Sequence, residues 1–241
     1  MRIARFKLVG NPEEDGRMGA RLEDGSYLDA SSWNPPSSAH ELFDLEGEFI
    51  RCLEASVEQA ERGEGNLPTH RAEEVVALAP VQRPGKVICV GLNYEDHALE
   101  STMALPQEPL IFSKFSTTIN DPGAMIRIPQ GSNEVDFEAE LGVVIGRRTS
   151  ECTTENALEA VLGYTCVNDV TARDFQFADG QWQRGKSCDG FCPIGPEIVT
   201  TSRITDPQGL TMQLVLNDSV MQESHTRDMI FDVRTIIAHI T

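Results

Sequence analysis

The chain has 241 residues, of which 38 are acidic and 20 basic, for a formal net charge of −18 at pH 7, and 40% of it is hydrophobic. That length and apolar content suffice to bury a substantial core in one large domain with a small appendage. The charge works against nucleic acid and anionic membrane surfaces, and the apolar runs are far too short to span a bilayer, so neither is an expected partner.

From the N-terminus, Arg2 to Val9 and Met18 to Leu28 read as strands around the turn-rich Gly10-Asn11-Pro12-Glu13-Glu14-Asp15-Gly16, and Pro35 and Pro36 interrupt this β-element. Between Glu41 and Arg62, the residues Leu42, Leu45, Phe49, Leu53, Val57 and Ala60 recur at helical spacing, and Gly63 and Gly65 end the helix. Residues 1–70 are therefore expected to form a small N-terminal α/β domain, residues 71–82 a connector, and residues 83–241 a catalytic domain. In that domain short strands dominate: Lys86 to Gly91, Leu110 to Lys114, Met125 to Ile128, Val135 to Gly146, Gly163 to Asp169, and Leu210 to Leu216 turning at Asn217-Asp218 into Val220. Helices are expected over Thr154 to Leu162, with Thr154 as N-cap, and after Asp232. Strands outnumber helices and do not alternate with them regularly, which points to a β-rich α+β fold and away from a doubly wound parallel sheet.

Within Val135-Asp136-Phe137-Glu138-Ala139-Glu140-Leu141-Gly142-Val143-Val144-Ile145, strand alternation puts Glu138 and Glu140 on one face, opposite the apolar residues. Their Cα atoms are then about 7 Å apart, at roughly 3.3 Å of rise per residue. Two carboxylates so close repel each other unless something positive lies between them, and a hard divalent cation taking oxygen ligands is the simplest candidate. Asp169, ending the run Leu162-Gly163-Tyr164-Thr165-Cys166-Val167-Asn168-Asp169, is the expected third ligand. Taken alone, the glutamate pair also fits the solvated face of an amphipathic strand.

Upstream, the strand ending at Gly91 runs into Leu92-Asn93-Tyr94-Glu95-Asp96-His97-Ala98-Leu99-Glu100. If a short helix follows Asn93, His97 and Glu100 stand at i and i+3, where the carboxylate can accept the Nδ1–H and leave Nε2 to take a proton from water. An exposed helix with an ordinary His and Glu is the alternative. Lys186 is one of only four lysines, with Lys7, Lys86 and Lys114. Its compact ammonium suits a developing oxyanion or enolate oxygen, and a solvated loop lysine is the other reading. Cys188 and Cys192 have no second cysteine pair to complete a zinc site. Six cysteines without a signal peptide suggest free thiols in a reducing cytoplasm. No glycine-containing stretch forms a phosphate loop or dinucleotide fingerprint, so no nucleotide cofactor is expected. Trp182, in a polar loop, is expected to pack in the core.

Four motifs appear in a telling order: Asn93-Tyr94 followed by His97 and Glu100; Asp136-Phe137-Glu138-Ala139-Glu140-Leu141-Gly142; Asn168-Asp169-Val170-Thr171-Ala172-Arg173-Asp174-Phe175-Gln176; and Gly185-Lys186-Ser187-Cys188-Asp189-Gly190-Phe191-Cys192-Pro193. Over roughly residues 83 to 240 this resembles the fumarylacetoacetate hydrolase superfamily, and the insert from Phe175 to Lys186 looks most like its diketo-acid hydrolase branch. The resemblance implies a mixed β-sheet roll or barrel, a homodimer, a Mg²⁺ or Mn²⁺ cofactor and a small anionic 2-oxo or 2,4-dioxo acid as substrate. By position it implies Glu138, Glu140 and Asp169 as metal ligands, His97 with Glu100 as the water-activating pair, and Lys186 and Gln176 facing the substrate, with Arg173 and Tyr94 as further substrate contacts.

The expected activity is metal-dependent hydrolysis of a C–C bond in an acylpyruvate or related 2,4-dioxo acid. Oxaloacetate decarboxylation, keto–enol tautomerisation and isomerisation use the same chelate and enolate, and stay open. An inactive metal-binding dimer is a reading of another class. Its support is that Val233, Ile236, Ile237 and Ile240 mark a helix face, after which the chain stops at Thr241, before the Thr-Gly-Thr-Pro segment that the resemblance leads one to expect; Arg234 also stands where the superfamily commonly has Pro. Finally, a lysine-poor, acid-rich surface is what a protein living in concentrated salt shows, with Arg-for-Lys codon bias in a GC-rich genome as the alternative.

Overall fold

The computed structural model of the protein describes residues 1–11, 13–36, 39–94, 105–178 and 180–241. Its elements run β1 (Arg2–Leu8), β2 (Arg17–Arg21), β3 (Tyr27–Asp29), α1 (Ala39–Leu42), α2 (Glu48–Glu61), β4 (Thr69–His70) and β5 (Val75–Leu78). There follow β6 (Val87–Gly91), β7 (Leu110–Lys114), β8 (Ile119–Asn120), β9 (Val135–Asp136), β10 (Ala139–Ile145), β11 (Val161–Asn168) and β12 (Thr171–Ala172). The chain closes with α3 (Arg173–Gln176), α4 (Gln183–Lys186), β13 (Cys192–Thr200), β14 (Thr211–Leu216), β15 (Ser219–His225) and α5 (Val233–Ile240). This is the β-rich α+β fold expected, built on an open sheet; no closed barrel forms among the described residues.

The main sheet has nine strands, in the order β10-β11-β13-β1-β2-β3-β4, with β5 added to β1 and β8 to β13. β1 is the hinge of this arrangement, because Ile3 lies opposite both Ile198 of β13 and Ala20 of β2. The N-terminal strands thus continue the same sheet that carries β10 and β11. Over it lies α2, whose Phe49, Ile50, Leu53 and Val57 recur at helical spacing and pack with Ile3, Ala20, Leu28, Leu162 and Ile198 in one apolar core. A second, smaller core joins Val233 and Ile237 of α5 to Ala157, Val161 and Tyr164. α5 starts where the sequence places it: the Asp232 carboxylate accepts the Thr235 N–H at 2.8 Å, an N-cap bond that satisfies one of the free donors of the first turn. Arg234, the second residue of the helix, points outward and donates to the carbonyls of Thr154 and Glu155.

Several expected elements differ. Met18 to Leu28 is two strands, because Asp24 accepts both the N–H and the hydroxyl of Ser26 and Gly25 takes φ +87°, a turn that divides β2 from β3. Met125 to Ile128 is not a strand: it lies between Pro122-Gly123 and Pro129, residues that interrupt pairing, and Met125 is 81% exposed. The helix expected over Thr154 to Leu162 shrinks to a 3₁₀ turn at Ala157–Ala160, and Thr154 does not cap it. Val161 instead opens β11 opposite Ile145. At Asn217-Asp218 the turn forms as expected, both residues with positive φ (49° and 64°), the two-residue geometry that matches strand twist in a tight hairpin.

The strand expected over Val135 to Gly146 breaks at Phe137-Glu138. Side chains take over the backbone bonds there: Asp136 Oδ1 accepts the Phe137 N–H at 2.9 Å, and Asn168 Oδ1 accepts the Glu138 N–H at 3.1 Å. The break brings the two acidic motifs side by side, since the Asp169 N–H donates to the Glu138 carbonyl at 2.8 Å and Ala139 pairs with Asn168.

Candidate active site

Lys186 is the centre of the site. It ends α4, is 2% exposed, and its Nζ donates to Glu138 Oε2 at 2.7 Å and to Asp169 Oδ2 at 2.8 Å. Its reach is set by close packing of α4 on α3: Gly185 lies so near that a Cβ built on it would come within 2.5 Å of the Gln176 nitrogen and 2.6 Å of the Ala172 carbonyl oxygen. The Phe112 ring lies 5.0 Å from the Lys186 ammonium and contacts Trp182 edge-on at 5.4 Å, so Trp182 forms part of the wall behind the lysine.

Glu138 takes a second cation on its other oxygen, Arg173 Nη2 at 2.5 Å. Arg173 is fully engaged: its Nε and Nη2 donate to Asp136 Oδ2 at 3.0 and 2.9 Å, and its Nη1 donates to the buried Gln176 Oε1 at 3.0 Å. This network fixes Glu138 and Gln176 relative to each other. Asp169 is likewise doubly held, because Lys114 Nζ donates to its Oδ1 at 2.6 Å.

Glu140 is the exception. Among the described residues no hydrogen bond or ion pair reaches its carboxylate, and burial, then the charges of Glu138 and Asp169, push its pKa up to about 8 against the pull of Lys186. Tyr94 lies close enough to Glu140 for that charge, after burial, to raise its phenol further, so the hydroxyl stays protonated; it donates to Met212 Sδ at 3.6 Å. Asn93 bolts this segment in place, its side chain exchanging hydrogen bonds with the backbone of Phe231 at 2.9 and 3.0 Å. Gln222 of β15 accepts the Ala139 N–H at 2.8 Å and so braces the strand between the two glutamates.

Glu138, Glu140, Asp169, Lys186, Arg173, Gln176 and Tyr94 thus come together, whereas His97 and Glu100 lie outside the described residues. Sequence reasoning did not assign Lys114, Asp136, Asn168 or Phe112 to the site. Phe112 and Lys114 share one face of β7 by alternation, and a lysine closing a strand that opens Leu110-Ile111-Phe112 was the available signal. The cysteines nearest the site are poor nucleophiles: burial pushes the thiols of Cys89, Cys188 and Cys192 up, that of Cys192 to about 11.

The carboxylates meet as a salt-bridged cluster, and among the described residues no three His, Cys, Asp or Glu side chains stand as a ready-made metal cage. The donor chemistry nevertheless suits a hard divalent cation. All three candidate ligands offer carboxylate oxygens, and Glu140 is an unpaired carboxylate set beside two others, the arrangement that a Mg²⁺ or Mn²⁺ charge relieves.

Residues 86–241 match the fumarylacetoacetate (FAA) hydrolase C-terminal family. The chain is 37% identical to a mitochondrial oxaloacetate tautomerase of Xenopus laevis, over 99% of this chain and 74% of that protein. It shares its fold with maleylpyruvate hydrolase from Sphingobium sp. SYK-6, solved with manganese(II) and pyruvate (TM-score 0.78, 28% identity, 99% of this chain and 81% of that one). It is similarly close to 5-carboxymethyl-2-hydroxymuconate delta-isomerase from Mycobacterium smegmatis (TM-score 0.74, 31% identity, 99% and 80%). Against such curated tautomerases the chain spans from 63% to 74% of their length.

Proposed function

We propose that this chain, which belongs to the fumarylacetoacetate hydrolase family, is a divalent-metal-dependent tautomerase or isomerase of a 2-oxo acid, with oxaloacetate as the candidate substrate. Hydrolysis, the first expectation from sequence, gives way to its alternative because the tautomerases and the delta-isomerase among the relatives carry out proton shifts and leave carbon–carbon bonds intact. The observation that carries the reading is the buried Lys186 ammonium, held by Glu138 and Asp169 beside Gln176, an arrangement suited to an enolate oxygen.

Enolisation of a 2-oxo acid moves a proton from C3 to the C2 oxygen. Held by Glu138, Glu140 and Asp169, the cation would supply Lewis acidity that makes the C3–H more acidic. Lys186 Nζ would donate a hydrogen bond to the oxygen on which charge develops, in a site where water competes little. Gln176, fixed by Arg173, would orient the substrate through its amide, and Arg173 itself acts through Glu138 and Gln176. Tyr94, kept protonated, can donate a hydrogen bond and cannot serve as the base. We assign that role to His97, which lies outside the described residues and whose imidazole would take the C3 proton.

The test is the decay of enol oxaloacetate absorbance with purified protein and Mg²⁺ or Mn²⁺. Conversion to the keto form should be accelerated, and Lys186→Met should lose about 10²-fold or more of that rate, the usual range for removing one group that stabilises developing charge. A second reading, C–C hydrolysis, has the maleylpyruvate hydrolase as its support. Cleavage of acylpyruvates without any effect on the oxaloacetate tautomers would replace the first reading by the second.

A further inference from the structure

We propose that Lys114 is a positioning residue for the metal site, an outer clamp that fixes the Asp169 carboxylate so that it can serve as a ligand. Two of the chain's four lysines, Lys114 and Lys186, bracket this one carboxylate, an ammonium on each oxygen. Their surroundings differ. Lys186 also touches Glu138 and faces the cluster, whereas Lys114 donates to Asp169 Oδ1 and to the Val170 carbonyl at 3.1 Å, with its side chain 1% exposed.

A buried ammonium costs several kcal/mol in lost hydration unless its hydrogens are well placed. Lys114 meets that cost with bonds to two consecutive residues, so it ties down both the Asp169 carboxylate and the backbone that follows it. Thr171 completes the clamp by donating through Oγ1 to the Asp169 carbonyl at 2.9 Å. With Oδ1 occupied, the carboxylate plane is set and only Oδ2 is turned toward Lys186 and Glu138. The clamp reaches the site across the fold, because Lys114 ends β7 and β7 is paired only with β6 among the described strands. The placing of the β6–β7 ribbon is thereby coupled to the geometry of Asp169.

This rests on the reading of Glu138, Glu140 and Asp169 as metal ligands, and titration with Mn²⁺ separates the two. Calorimetry on the full chain, with thermal melts to check folding, compares wild type with Lys114→Met, of similar length and no charge, and Lys114→Gln, which keeps an N–H donor. Loss of an outer partner that orients a ligand costs about 10–100-fold in metal affinity, and that weakening is expected for Lys114→Met, with a smaller loss for Lys114→Gln. If Lys114 contributed only charge, its removal would leave the site more negative and Mn²⁺ would bind more tightly in both variants. Equal or tighter binding by folded Lys114→Met overturns the inference while the ligand assignment stands. Where Lys114→Met does not fold, Lys114→Gln carries the same test with the same sign. Wild-type protein that binds no Mn²⁺ overturns both.

Discussion

β11 joins two regions made of opposite materials. At its start, Leu162 lies with Ile3, Ile198 and the α2 residues Phe49, Ile50, Leu53 and Val57 in a purely apolar cluster. At its end, Asn168 and Asp169 lead into a cluster where Lys114, Lys186 and Arg173 stand among Glu138, Glu140 and Asp169. In the first region each buried methylene adds about 0.8 kcal/mol, independently of most others, so damage is graded. In the second, two charges taken from water are worth little net, but removing one strands the other at a cost of about 3–5 kcal/mol. A cluster that stabilises so inefficiently, with the perturbed Glu140 at its edge, is the kind of arrangement that the proposed chemistry requires.

The largest effect that sharpens this contrast should come from a single methyl group at the charged end. Gly185→Ala places a Cβ within 2.7 Å of three backbone atoms of Gln176 and Ala172, none of which can rotate away, so α4 must shift and carry Lys186 with it. A displacement of about 1 Å at a reacting group can cost roughly 10²-fold in rate. On the proposed tautomerase reading, kcat should therefore fall by about that factor, with the melting temperature changed by only a few degrees. Activity within threefold of wild type would mean that Lys186 is not held by this packing.

The apolar end should show the reverse pattern. Leu53, on the inner face of α2, is fully buried, and Leu53→Ala should destabilise the protein by about 2–5 kcal/mol, the range for a core leucine whose cavity does not collapse. Urea melts measure the loss. Below the transition the rate of the proposed tautomerisation should stay close to wild type, since no candidate site residue belongs to that cluster. A comparable fall in kcat would show that the two ends of β11 are mechanically linked.

How far the sequence reveals each end follows from the range of the forces. The α2 core was readable because helical recurrence of Phe49, Leu53 and Val57 is a local pattern. Glu138, Glu140 and Asp169 could be grouped, yet the reason given, one continuous strand, does not hold: Asp136 and Asn168 divert the backbone bonds at Phe137 and Glu138. Strand periodicity carries no information about such side-chain competition. Lys114 escaped assignment because its partner is 55 positions away and the contact exists only once the β6–β7 ribbon has docked. Residues 1–70 read as a separate unit because their periodicities are self-contained, but the pairing of β1 with β13, which continues the sheet through them, is non-local and has no sequence signature.

The smallest expected effect concerns the surface that encloses both regions. With 38 acidic residues against 20 basic ones, exposed carboxylates repel one another over distances that salt screens, the Debye length falling from about 10 Å at 0.1 M to about 3 Å at 1 M. The buried pairs around Lys114 and Lys186, at most 3% exposed on the lysine side, lie beyond the reach of that screening. Raising KCl from about 0.1 M to above 2 M should thus increase the melting temperature by relieving surface repulsion. The increment should be the same in Leu53→Ala and in wild type, because the apolar core carries no charge to screen. A flat or falling melting temperature would assign the scarcity of lysine to codon usage, and leave the surface charge without a stabilising partner in salt.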